Sequence, residues 1–324
     1  MCQPCQVNDG SKKAILAAFL ANLGIAIAKF VGFLITRSAG MLAESVHSLA
    51  DTGNQGLLFL GGRRAGRVAT PQHPFGYGRE RYFWAFAVAL VLFSMGGLFA
   101  LYEGIEKFRH PHEVDKVAVA IVILVLGLAM EGFSLFTAVN EARRTKGDMS
   151  WWRFIRTSKQ PELPVVLLED TGAEIGLLFA LFGVIMAHVT GDGRWDAAGS
   201  IAIGLLLIVI AIVLMIEMKG LLIGESAGKQ DRAAIVAALE SGPNVDRLIH
   251  LRTEHLGPDE ILVAAKLEYS SELTFDQVVA EINATEVRVR DAVPAARVIY
   301  IEPDLHTEGY VDSEQRTPPT EPEH

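Results

Sequence analysis

Six mostly apolar runs constrain this chain more than any other feature. They cover residues 15–36, 39–60, 82–102, 117–139, 164–189 and 197–218, and each is near the ~20 residues that cross a hydrocarbon layer as a helix. Hydrocarbon offers no partner for backbone N–H and C=O groups, so segments of this kind must close their hydrogen bonds internally as helices. The 324-residue chain is 50% hydrophobic with mean hydropathy +0.30, above an ordinary soluble domain. Its formal charge of −9 hides an asymmetry: acids gather in the last third and bases in short connections. No basic face of the kind a nucleic-acid binder carries is evident. The first run is too long and lacks the small-residue cleavage site of a secretory leader, so no cleavable signal peptide is expected. Cys2 and Cys5 form a single Cys-x-x-Cys pair with no second pair to close a zinc site, and read as a reduced terminal arm.

Lysine and arginine in the connections set the orientation. Arg63, Arg64, Arg67, Arg79 and Arg81 lie between runs two and three. Arg143, Arg144, Lys146, Arg153, Arg156 and Lys159 lie between runs four and five. The opposite connections are poorer: Arg37 alone, then Lys107, Arg109 and Lys116 among acids, then Arg194 between Asp192 and Asp196. Both termini are therefore expected in the cytoplasm. Trp151 and Trp152 suit an interfacial position.

Beyond Lys219 the pattern changes. Residues 231–240 read as a helix, 245–254 and 260–269 as strands around a Gly257-Pro258-Asp259 turn, 274–290 as an amphipathic helix and 297–302 as a last strand. The expected architecture is an α-helical membrane protein: a terminal arm (1–11), six transmembrane helices (12–220), a small α+β domain of order α-β-β-α-β with its helices on one side of the sheet (221–306), and a disordered tail (307–324) rich in Glu, Pro and Thr.

The chemistry concentrates where polar residues interrupt the runs. His47 and Asp51 stand four residues apart in run two, one turn from each other on one helix face. Both bind divalent metals, and both are costly in hydrocarbon without a partner or cavity. Asp51-Thr52-Gly53 is echoed by Asp170-Thr171-Gly172 in run five. Two such helices packed together would bring His47, Asp51 and Asp170 to one depth, a three-ligand N/O site with an open position. Water, Glu169, Asn54 or Glu174 are the choices for a fourth ligand, and Glu44 reads as an outer partner or approach residue. Glu131 and Ser134, one turn apart in run four, read equally as interhelical glue or as a proton relay. The loop from Thr70 to Arg81 is turn-rich, and its His73 is a weak metal candidate. A membrane metalloenzyme using Glu169 or Glu174 as base is disfavoured, since no His-Glu-x-x-His motif is present, and no enzyme activity is expected.

These motifs carry a resemblance. Ala43-Glu44-Ser45-Val46-His47-Ser48-Leu49-Ala50-Asp51, His73-Pro-Phe-Gly-Tyr-Gly-Arg79 and Leu168-Glu169-Asp170-Thr171, over roughly residues 12–305, resemble the cation diffusion facilitators, zinc-transporter-type metal/proton antiporters. Asn54-Gln55-Gly56-Leu57, Tyr82-Phe-Trp-Ala85 and the Trp151-Trp152 loop place it nearest a branch with a human zinc transporter and bacterial relatives. The resemblance implies a six-span bundle with a ferredoxin-like cytoplasmic domain. It implies a homodimer in the membrane, a bacterial inner membrane for the bacterial branch, no cofactor, and transported Zn2+ exchanged for protons. It assigns the transport site to His47, Asp51 and Asp170, while Val166 fills the place of a fourth ligand. That departure leaves Mn2+, Fe2+, Co2+ or Cd2+ as alternative cargo, and a metal-binding member that no longer transports as another reading. A second family site in the loop matches only as Thr70, His73 and Tyr77. At the cytoplasmic sites His250 matches, Lys266 and Tyr300 stand where histidines can, Glu302 replaces an aspartate, and His255 and His306 are candidates to compensate.

Overall fold

The computed structural model describes residues 9–111 and 116–306, with side chains from Leu23 onward. Cys2 and Cys5, most of the expected arm and the tail 307–324 lie outside the described residues. The chain divides into two compact units, one built from 9–68 and 79–222, the other from 69–78 and 223–306.

The first unit is a bundle of six helical segments of 27 to 30 residues. They are α1 (Asp9–Thr36), α2 (Ala39–Ala65), the continuous segment Glu80–Arg109, α5 (Val117–Lys146), α7 (Glu162–Thr190) and α8 (Arg194–Ile223). At 1.5 Å rise per residue each is about 40 Å long, more than a bilayer core requires. Among the described residues Glu80–Arg109, α5, α7 and α8 are also apolar enough along their length to cross a membrane. The segment Glu80–Arg109 comprises α3 (Glu80–Val91), a π-helical stretch (Leu92–Leu98) and α4 (Phe99–Arg109), a change of winding that periodicity did not foretell. A short helix, α6 (Trp151–Thr157), is capped by Ser150, whose hydroxyl accepts from the Arg153 amide.

The bundle is apolar outside and has an apolar core interrupted by buried polar clusters. Leu126, Phe133, Phe136, Val209 and Ile216 are each at least 60% exposed or close to it, as lipid-facing side chains are. The buried face of α2 instead carries Glu44, Ser45, His47, Ser48, Thr52 and Asn54. Helices approach closely where a residue has no side chain. A Cβ on Gly204 of α8 would lie 2.6 Å from the Leu101 nitrogen of α4, and one on Gly199 would lie 2.8 Å from the Phe179 oxygen of α7. Small residues at such crossings let backbones meet where hydrophobicity alone cannot drive association.

The second unit has the expected order. Helix α9 (Lys229–Glu240) precedes β1 (Val245–Gly257) and β2 (Glu260–Tyr269), and α10 (Phe275–Ala292) precedes β3 (Ala296–Pro303). The sheet order is β1-β2-β3, with β1 antiparallel and β3 parallel to β2. Gly257 pairs with Glu260, so Pro258 and Asp259 form the turn. Along β2 the inward Ile261, Val263, Ala265, Leu267 and Tyr269 alternate with partly exposed residues, the period of a half-buried strand. Ile235 and Leu239 of α9 and Val289 of α10 complete that core. Thr274 and Gln277 form a capping box at the start of α10. The loop 69–78 belongs to this unit: Gly78 lies against Leu256 and Gly257, where an added Cβ would come within 2.7 Å of the Leu256 oxygen.

Candidate metal site in the helix bundle

Helix α2 begins at Ser38, whose hydroxyl accepts from the Met41 amide. Counting from this start, Glu44, His47, Ser48 and Asp51 follow at three- and four-residue intervals and share one face. That face lies antiparallel to α7. Gly40 packs on Ala180, where an added Cβ would be 3.2 Å away, and Glu44 Oε1 lies over Gly176, 2.7 Å from where a Cβ would stand. Near the other end, Asn54 Nδ2 donates to Glu169 Oε1 at 2.6 Å. The same register places Asp51 level with Asp170.

His47 is fully buried, and its Nε2 lies 3.5 Å from Asp51 Oδ2. That is a close pair without a hydrogen bond. Both His47 ring nitrogens, Asp51 Oδ1, Glu44 Oε1, Asn54 Oδ1 and Glu174 Oε2 are buried without a hydrogen-bond partner. More than nine in ten buried polar groups are normally paired, so this cluster of orphaned N and O atoms on adjoining helices calls for an explanation. All are metal-ligand atom types. Asp170 Oδ2 accepts from Ser134 Oγ of α5 at 2.9 Å. Among the described residues no three His, Cys, Asp or Glu side chains converge closely enough to hold a metal ion. The structure brings His47 and Asp51 together, and it holds Asp170 at their level on Ser134. Of the fourth-ligand choices, Asn54 and Glu169 are bonded to each other, and Glu174 lies beside Gly132 of α5.

Glu44 Oε2 faces a lysine rather than the His47–Asp51 pair. Lys29 of α1, 1% exposed, reaches it at 3.3 Å, with Ser48 Oγ at 2.8 Å and Glu131 Oε1 at 3.5 Å. Sequence reasoning passed over this lysine, although an ionisable residue seventeen positions past Lys12 in an apolar run is a functional signal in itself. It also read Lys107 and Asp196 as loop charges. The structure buries them: fully buried Asp196 accepts from Ser38 Oγ at 2.6 Å, the Ala39 amide at 2.7 Å and Lys107 Nζ at 3.0 Å. Lys107 Nζ also donates to the Arg37 carbonyl at 2.6 Å.

The remaining candidates lie in the second unit. His73 is exposed, exchanges backbone hydrogen bonds with Thr70, and packs against Tyr77 in a tilted ring contact with centroids 4.7 Å apart. Thr70 Oγ1 is 3.2 Å from the Tyr77 hydroxyl, so these three residues close the loop on itself. His250 pairs across the sheet with Lys266, and Lys266 with Glu302. Lys266 Nζ contacts Asp304 Oδ2 at 2.9 Å and Glu302 Oε1 at 3.1 Å. His255 is buried, with Nδ1 3.3 Å from the Gly257 oxygen. The His306 amide donates to Glu268.

The human mitochondrial proton-coupled zinc antiporter SLC30A9 is 31% identical over 286 residues, 85% of this chain and 50% of its own length. Metal tolerance protein C4 of Arabidopsis thaliana is 28% identical over 271 residues, 83% of this chain and 59% of that protein. The chain thus spans about half the length of the curated relatives it matches. A nickel form of the MamM C-terminal domain covers 25% of this chain and all of its own at 21% identity, with a TM-score of 0.23. The cation efflux transmembrane domain model matches residues 15–223, all of the helical bundle except the first residues of α1, and this multi-pass membrane protein belongs to that family.

Proposed function

We propose that the protein exports a divalent cation, zinc foremost, in exchange for protons, with His47, Asp51 and Asp170 as the transport site. The observation that carries this reading is the cluster of unpartnered ligand atoms on the buried face of α2, at the level of Asp170 on α7. Relatives named as a proton-coupled zinc antiporter and, in Bacillus velezensis, a cadmium, cobalt and zinc/H(+)-K(+) antiporter support it.

Coordination needs a neutral imidazole and ionised carboxylates, so metal and protons compete for the same atoms. A bundle that rocks between two openings then exchanges one for the other at the bilayer midplane. Metal enters from the cytoplasm, protons arriving from the far side displace it there, and the protonated site returns empty of metal. All six long helices span the membrane in this reading, both termini face the cytoplasm, the membrane is a bacterial inner membrane, and two protomers pair. No cofactor and no covalent chemistry are required.

Val166 favours a second reading. It is partly buried one turn before Asp170, where it offers no ligand atom. Water, Glu174 or the Asn54–Glu169 pair then completes the sphere, and an oxygen-richer set shifts preference toward Mn2+ or Fe2+. Flux in proteoliposomes under a pH gradient tests both. Zinc uptake that collapses with the gradient and is lost in Asp51→Ala and Asp170→Ala supports antiport. Manganese or iron uptake without zinc supports the second reading. Equilibrium binding without any flux rejects transport in favour of a metal-binding regulator.

A further inference from the structure

We infer that Lys29 is a tethered counter-cation that masks Glu44 and Glu131 and thereby keeps metal affinity at the neighbouring transport site low enough for release. The inference rests on the transport reading and adds to it a specificity-determining residue. Lysine in the middle of an apolar helix is rare, and such residues pair within the bundle interior. Here the pairing has a particular form. The ammonium, carried by α1, is held by three oxygens: Glu44 Oε2 and Ser48 Oγ of α2 and Glu131 Oε1 of α5. Such an all-oxygen nest is also a ligand set for a hard divalent ion.

The nest adjoins the transport site. Ser48 follows His47 directly, and Glu44 lies one turn before His47 on the same face. The lysine stem is accommodated by Gly127 of α5, where a Cβ would stand 3.4 Å from Lys29 Cε. Glu44 Oε1 remains unpartnered and buried while Oε2 faces the ammonium. Without Lys29, two carboxylates on adjoining helices would lie beside His47 as a deep cation trap. A transported ion must bind well enough to enter and weakly enough to leave. The fixed ammonium fills the trap and raises the potential that an incoming divalent ion meets.

The test is equilibrium zinc binding and proteoliposome flux with the purified full chain. Lys29→Met keeps the length of the side chain and removes its charge. It should lower the zinc Kd at least tenfold and lower KM and kcat together, because release slows. Lys29→Arg, which keeps the charge, should stay near wild type. A Lys29→Met protein that elutes and melts as a folded bundle yet has an unchanged or weaker Kd overturns the inference. So does a Lys29→Arg protein that tightens as much as Lys29→Met. If Lys29→Met does not fold, the comparison moves to the Glu44→Gln background, where adding Lys29→Met should still tighten zinc binding through Glu131, and no tightening overturns the inference. Should wild type bind zinc without moving it, transport fails while the Kd comparison still decides the role of Lys29. If neither wild type nor Lys29→Met binds zinc, the masking inference fails.

Discussion

At the scale of single residues, the proposed transport site is marked by atoms that lack partners as much as by atoms that have them. His47 offers two free ring nitrogens in a buried setting, and Asp51 one free oxygen. Asp170 is steadied by the Ser134 hydroxyl. Ligand and support should therefore separate in kinetics. Asp51→Ala should reduce metal flux by on the order of 100-fold or more, whereas Ser134→Ala, which only frees the orientation of Asp170, should cost about 10-fold in apparent affinity. Initial-rate flux across a range of metal concentrations checks both. Outside the membrane, the hydrogen bond from Lys266 holds the Asp304 carboxyl below the usual aspartate range. A depressed carboxyl contributes stability above its unfolded value of about 3.9 and loses it as pH falls through the lower folded value. The Asp304 carboxyl signal in an NMR titration of the 223–306 fragment should have a midpoint below ~3.9, and Lys266→Met should move it back up.

At the scale of elements, two buried ionic clusters tie the helices together at different heights. Lys29 joins α1 to α2 and α5. Lys107 and Asp196 join the α1–α2 turn to α4 and the start of α8, and Asp196 also caps the first amide of α2. Asp196 therefore sets where α2 begins, and so the angular phase of the site face that follows from it. Removing one member of a buried pair leaves an uncompensated charge. Asp196→Ala should destabilise the bundle by about 3–5 kcal/mol, and the double change Lys107→Met with Asp196→Leu should cost clearly less. Thermal unfolding in detergent, followed by helical circular dichroism, distinguishes the two. The close crossing of α8 on α4 makes a different prediction. Gly204→Val would press on the Leu101 backbone and should cost about 1–3 kcal/mol by overpacking, with the same measurement as check.

At the scale of the whole molecule, a bundle with apolar sides and an apolar core that encloses buried polar clusters is joined in sequence to a small α+β unit with its own core. The proposed homodimer predicts a protein mass of twice 35.2 kDa in detergent. Light scattering coupled to size exclusion, corrected for bound detergent, checks it, and a mass of one chain rejects pairing under those conditions.

Much of this was legible in the residues themselves. Runs of apolar side chains can only be helices in hydrocarbon, so the bundle followed from composition and length. Period-two and helical spacing located the α-β-β-α-β unit within a few residues, because each of its elements has one wet and one dry face. His47 and Asp51 stood out because polar ligand atoms in an apolar run are costly. The π-helical turn from Leu92 to Leu98 could not be read, since no local pattern marks a change of winding. Nor could the partners of the buried charges. Lys29 lies 102 positions from Glu131, and Lys107 lies 89 from Asp196. Only the packing of helices decides which distant side chain meets which. It set Glu44 against Lys29, and it paired Glu169 with Asn54. The linear order of residues specified what must be buried, and the tertiary structure decided what each buried charge would face.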